Sequence, residues 1–183
     1  MNLLRYSQFI TENLITKKCI IITENGFQDR ELFEPLNTIN NEGVEVIIAG
    51  LTVGEKKAYN SEKTISIHQV VGDLNPSDFD LLVLPGGKAP LILKEDQSVI
   101  QFVRDFAKLN RPIFAICHGP LILAQADLVK DKNMTCYSDA VEELEQAGAN
   151  FKDESVVCDG QFVTSRNPDD LENFCQKISE RLL

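Results

Sequence analysis

Three short runs of uninterrupted apolar residues, at 19–22, 81–84 and 113–116, and a fourth at 44–49 broken only by Glu45, restrict this chain to few architectures. Strands with one wet face alternate apolar and polar residues, whereas strands covered on both faces read as continuous apolar runs. Helical patterns lie between the runs. Leu32, Phe33, Leu36 and Ile39 form one face of a helix ended by Gly43, with Pro35 as a kink or first-turn residue. Val99, Ile100, Phe102, Val103, Phe106 and Leu109 form another. Strand and helix in this alternation predict an α/β fold, with a mostly parallel central sheet and helices on both faces.

The remaining segments fit one domain. Residues 52–71 are polar, with Ile65 and Ile67 alternating against Ser66 and His68, which predicts an edge excursion of paired strands. A helix over residues 139–146 is predicted from Asp139 as its cap, Glu142 three residues on and Gly148 as its stop. Val156-Val-Cys and Gln161-Phe-Val-Thr flank Asp159-Gly160, a hairpin with a type I′ turn, and a last helix is predicted over about 168–182. Leu3, Leu4, Tyr6, Ile10 and Leu14 at near-helical spacing make residues 1–17 an amphipathic arm ahead of a single domain at 18–183. Interrupted hydrophobicity and the lack of a small-residue cleavage site argue against a signal peptide there. No stretch is apolar enough to span a membrane.

The chain has 28 acidic and 18 basic residues among 183, a net charge of -10, so no nucleic-acid surface is expected. Its five cysteines include no C-x-x-C pair and it has two histidines, so neither a metal site nor a disulfide framework is expected, and a reducing, cytoplasmic setting is.

The chemistry concentrates in Ile113-Phe-Ala-Ile-Cys117-His118-Gly119-Pro120. A buried strand runs straight into Cys-His-Gly-Pro and then an apolar helix, the form of a nucleophile elbow with cysteine in place of serine. Ala115 and Gly119 keep the turn small, and Pro120 suits a first helical turn. A thiol at a helix N-terminus is expected to favour its thiolate. Cys19, Cys136, Cys158 and Cys175 sit in strand or helix patterns and read as inert. The strand at 81–84 ends in Pro85-Gly86-Gly87-Lys88-Ala-Pro90, whose free N–H groups, with that of His118, are expected to hold an oxyanion. The first strand ends in Thr23-Glu24-Asn-Gly26, placing Glu24 at the same sheet edge.

Glu24-Asn-Gly-Phe-Gln-Asp-Arg-Glu-Leu32, Leu82-Val-Leu-Pro-Gly-Gly87 and Ala115-Ile-Cys-His-Gly-Pro120 together resemble the ThiJ/PfpI superfamily, and Tyr137, Gly148, Val156–Gly160 and Thr164–Arg166 continue the likeness in order. The resemblance implies a flavodoxin-like three-layer sandwich, a homodimer or higher homo-oligomer, a reactive Cys117 and a glutamate against its sulfur, taken as Glu24; thiol chemistry of this kind needs no cofactor. It places Gly86, Gly87, Gly119 and Tyr137 around the cleft. It also implies intracellular protease, glyoxalase, deglycase or oxidative-stress activity. In the PfpI-type branch a glutamate after Gly-Gly-Arg-Ala-Pro orients the histidine, commonly in a neighbouring subunit. Leu91 stands there in this chain, with Glu95 and Asp96 as nearby substitutes, which disfavours a peptidase.

Two functions follow. In the first, Cys117 attacks a small reactive carbonyl or glycated adduct, with Glu24 or His118 moving the proton, and the proton rests on Glu24 while the sulfur is a thiolate. In the second, the protein is a non-enzymatic redox sensor or stress-protective protein whose Cys117 is oxidised. A flavin carrier is disfavoured because residues 23–27 have no phosphate-cradling Ser/Thr/Gly run.

Overall fold

The computed structural model describes residues 17–183, so the arm predicted from Leu3 to Leu14 lies outside the described residues. Five parallel strands form the centre: β1 (Lys18–Ile22), β2 (Glu45–Gly50), β6 (Leu81–Leu84), β7 (Ile113–Ile116) and β11 (Phe162–Ser165). With β5 (Gln69–Val70) and β10 (Val156–Asp159) at its edges, the sheet runs β10-β11-β7-β6-β1-β2-β5, and only β10 is antiparallel to its neighbour. β1, β6 and β7 are almost wholly buried, as continuous apolar runs require.

Two helical layers cover the sheet. On one face α1 (Asp29–Asn41) packs against α6 (Leu171–Leu182). Phe174 of α6 meets Phe114 of β7 edge-on, with ring centroids 5.5 Å apart. On the other, α2 (Ala89–Leu93) and α3 (Gln97–Ala107) pack against α4 (Pro120–Gln125), which also contacts α5 (Val141–Gln146). This is the three-layer, flavodoxin-like α/β sandwich expected from the sequence. α1 stops where Gly43 adopts φ +73°. The edge excursion is a hairpin of β3 (Gly54–Lys57) and β4 (Thr64–Ile67).

Two local expectations shift. Asp159 pairs with Phe162, so the tight turn is Gly160-Gln161, one residue later than predicted. Gly160 has φ +61° while Gln161 is not in the left-handed region, which fits type II′ and not type I′. Residues 138–140 form a separate 3₁₀ turn before α5, whose cap is Ala140, so Asp139 does not cap that helix. β8 (Asn133–Met134) and β9 (Asn150–Phe151) form a small separate ladder. Among the described residues, no helix is long and apolar enough to cross a membrane.

Candidate active site

β1 leads to β2 on one side and the chain then returns to β6 on the other, so the strand order reverses between β1 and β6. Ligands of open α/β sheets bind beyond the carboxyl ends of the strands near such a reversal. A cavity of about 420 Å³ opens there, with Cys117, His118, Glu31, Tyr59, Lys88 and Asp139 among its lining residues. A larger, more open groove of about 500 Å³ lies near the start of β11, lined by Arg104, Lys108 and Lys130, but it holds neither cysteine nor histidine.

Cys117 follows β7 directly and has φ +64°, a backbone that side chains other than glycine rarely adopt. The surroundings hold it there: its N–H donates to the Ser165 carbonyl at 3.0 Å, and its carbonyl accepts from the Tyr137 N–H at 3.0 Å. The Gly119 N–H closes the turn on the Ile116 carbonyl at 2.8 Å. This is the strained elbow that lifts a nucleophile off a sheet edge. A methyl at Gly119 would collide with the Leu84 and Ile116 carbonyl oxygens, which cannot yield. Gly119→Ala is therefore expected to cost about 2 kcal/mol of stability, read from the shift of a urea unfolding midpoint.

Glu24 is not at the sulfur. Its carboxylate is buried against Lys56 Nζ at 2.7 Å and accepts the Asn25 and Leu51 N–H groups. The acid beside Cys117 is Glu31, in the first turn of α1, fully buried, with its N–H donating to Gln28 Oε1 at 2.8 Å. Glu31 and Cys117 approach each other across Gly86, where a methyl would collide with both Glu31 Oε2 and Cys117 Cβ. Neither Glu31 oxygen has a well-formed hydrogen bond among the described residues, although the carboxyl lies against the thiol and the Gly86 N–H. Gln28, Gly86 and Gly87 thus form a wall on which the acid faces the sulfur.

Burial sets the charge state. It pushes the Glu31 carboxyl up to about 8, with the thiol and the Gly86 N–H acting in the opposite direction. Burial, reinforced by the Glu31 charge, pushes the Cys117 thiol up to about 12, while the Gly87 and His118 N–H groups favour the thiolate more weakly. Near neutrality both groups hold their protons, contrary to the expectation of a resting thiolate. α4 has only six residues, so its dipole is too small to offset the loss of water around the sulfur. The Gly87 and His118 N–H groups are directed at the Cys117 sulfur itself, whereas the two motifs led to the expectation of an oxyanion site.

His118 brings an imidazole between the sulfur and a carboxylate. Its Nδ1 is 3.3 Å from Cys117 Sγ, and its Nε2 is 2.7 Å from Asp139 Oδ1. The Tyr137 ring lies beside the imidazole, centroids 5.4 Å apart. Glu95 is exposed and lines no part of the cavity, and Asp96 caps α3 through the Ser98 N–H at 2.8 Å, so neither orients the histidine of its own chain. Leu91 lies on the rim. Tyr59 stands at the mouth, with Lys88 Nζ 5.6 Å from its ring centroid. Among the described residues no group of three or more His, Cys, Asp or Glu side chains is arranged to hold a metal ion.

Residues 17–181 match the model of the DJ-1/PfpI family. A Bacillus subtilis protein named putative cysteine protease YraA is 37% identical over 87% of this chain and 95% of its own length. An Escherichia coli protein named protein/nucleic acid deglycase 2 is 38% identical over 87% and 94%. The crystal structure of Drosophila melanogaster DJ-1beta superposes with a TM-score of 0.84 at 28% identity, covering 92% of this chain and 91% of that one.

Proposed function

This chain belongs to the DJ-1/PfpI family, and on that premise we propose that it is a cysteine-dependent enzyme acting on small reactive carbonyls, such as α-oxoaldehydes, and on their adducts with amines. The observation that carries the reading is the convergence of a thiol, a proton-bearing carboxyl and an imidazole on one cavity of about 420 Å³. Its supports are the relative named as a deglycase and the chemistry of those three groups. Hydrolytic use of the same cysteine is what the relative named as a cysteine protease suggests.

A thiol held near pKa 12 reacts only if its proton leaves as the new bond forms. The sulfur lone pair attacks the aldehyde carbon while the thiol proton passes to His118 Nδ1. The carbonyl π pair moves onto oxygen, where the Gly87 and His118 N–H groups stabilise the charge and the Glu31 carboxyl delivers a proton. The product of this step is a neutral hemithioacetal. Glu31, now a carboxylate, takes the hydrogen from the former aldehyde carbon as a proton and returns it to the adjacent carbonyl carbon, while the hemithioacetal hydroxyl gives up its proton to the adjacent carbonyl oxygen, which becomes the 2-hydroxyl. Water then attacks the thioester carbon and gives one proton to the Glu31 carboxylate; the C–S bond breaks, the sulfur takes its proton back from His118, and the 2-hydroxy acid leaves with thiol, imidazole and carboxyl restored. The sum is one α-oxoaldehyde plus one water giving one hydroxy acid, with no external oxidant or reductant.

The test is conversion of methylglyoxal to lactate, and release of amine from its aminocarbinol adduct, by wild-type protein against a Cys117→Ala blank. Lactate forming above the blank supports the reading. Selective oxidation of Cys117 by dilute peroxide with no lactate formed would replace it with the redox-sensor alternative.

A further inference from the structure

We infer that Asp139 is a positioning residue that completes the site within a single chain, by holding His118 in the one neutral tautomer able to deprotonate Cys117. The inference rests on the proposed role of His118 as base. It starts from two distances on opposite edges of one ring, 2.7 Å from Nε2 to the Asp139 carboxylate and 3.3 Å from Nδ1 to Cys117 Sγ. A carboxylate oxygen only accepts, so the proton of the neutral ring sits on Nε2. Nδ1 is then left with its lone pair facing the sulfur. In the other tautomer Nδ1 would carry a proton toward the thiol and could not take another.

The turn that carries Asp139 is tied to the elbow. The Tyr137 N–H donates to the Cys117 carbonyl at 3.0 Å, and the Ala140 N–H donates back to the Tyr137 carbonyl at 2.9 Å. The backbone that carries the Asp139 carboxylate is therefore fastened to the backbone that carries the sulfur. The position from which the PfpI-type pattern would supply an acid holds Leu91, so no carboxylate from there, in this chain or a second copy, serves the ring. The charged and titratable groups that line the cavity with the imidazole are Cys117, Glu31, Asp139, Tyr59, Tyr137 and Lys88. Of these, Asp139 is the acid whose carboxylate bonds the ring.

Asp139 is 65% exposed, so its ion pair adds little to folding and its removal separates positioning from stability. The first measurement is alkylation of Cys117 by iodoacetamide at pH 7, which reads thiol deprotonation without any substrate. Asp139→Ala is expected to slow it about tenfold, Asp139→Glu to keep it within about threefold, and neither to move the melting temperature by more than about 1 °C. An unchanged alkylation rate in Asp139→Ala overturns the inference even if methylglyoxal is turned over. A slowed rate upholds it even if methylglyoxal is not a substrate, a result that would count against the proposed function alone. The second measurement mixes Cys117→Ala with Asp139→Asn after joint unfolding and refolding. Activity equal to the sum of the two variants supports an acid acting within its own chain; restored activity shows it acting across subunits and overturns the inference.

Discussion

Glu31→Gln is expected to yield a protein that is more stable at neutral pH and far less active. The carboxyl titrates near 8 in the fold against an ordinary value of 4.5, so folding takes up a proton between those limits. A raised carboxyl contributes its full stability below pH 4.5 and loses it as pH climbs toward 8, because the unfolded chain releases the proton first. At pH 7 the accumulated cost is about 3 kcal/mol. Glutamine occupies the same space with no charge to desolvate, so Glu31→Gln should raise the unfolding free energy by about 3 kcal/mol at pH 7 and by slightly under 1 kcal/mol at pH 5. Urea titrations at both pH values check this; an equal gain at each would mean that the carboxyl is not a strained acid. Glutamine neither delivers a proton nor takes one back, so turnover of the α-oxoaldehyde is expected to fall about 10²- to 10³-fold in kcat/KM. Stability gained while activity is lost marks a group kept for chemistry.

That acid also marks where sequence reasoning stopped. The strands, the elbow and the Gly-Gly loop are local features, since each depends on a few adjacent residues whose burial and turn requirements are written side by side. Which carboxylate meets the sulfur depends on how α1 settles over the end of β6, a contact between segments about fifty residues apart. The family resemblance points to Glu24, which lies at the correct sheet edge, but that edge also holds Lys56, which takes its carboxylate. The signal for Glu31 was available: it lies four residues before Pro35 and eight before Ile39, on the buried stripe of α1, where an ionisable group has no structural use. Asp139 was hidden by a competing local role, because a helix cap and a histidine partner present the same side chain in the same sequence context. The charge on the thiol was misjudged because a helix N-terminus is visible in sequence and desolvation is not.

The opposite behaviour is expected at Glu24. Its side chain and that of Lys56 are each only 7% exposed and 2.7 Å apart, and Lys56 Nζ also reaches Thr52 Oγ1 at 2.6 Å. Together they fasten the hairpin of β3 and β4 to the ends of β1 and β2. Lys56→Met leaves the Glu24 carboxylate buried with two N–H donors and no cation, and is expected to cost about 3–5 kcal/mol, as breaking one side of a buried ion pair does. Adding Glu24→Gln removes the stranded charge while keeping a side chain able to accept from Asn25 or Leu51, so the double variant should recover most of the loss. Equilibrium unfolding of the two single variants and the double closes the cycle; a double variant as unstable as Lys56→Met would mean that the hairpin is held by packing alone. The refolded double variant should also turn over carbonyl substrate within a few fold of wild type, since neither side chain lines the cavity, and this is where Glu24 and Glu31 part. One carboxylate is paired with a buried cation and needed by the fold; the other has no cation beside it and is tolerated by the fold.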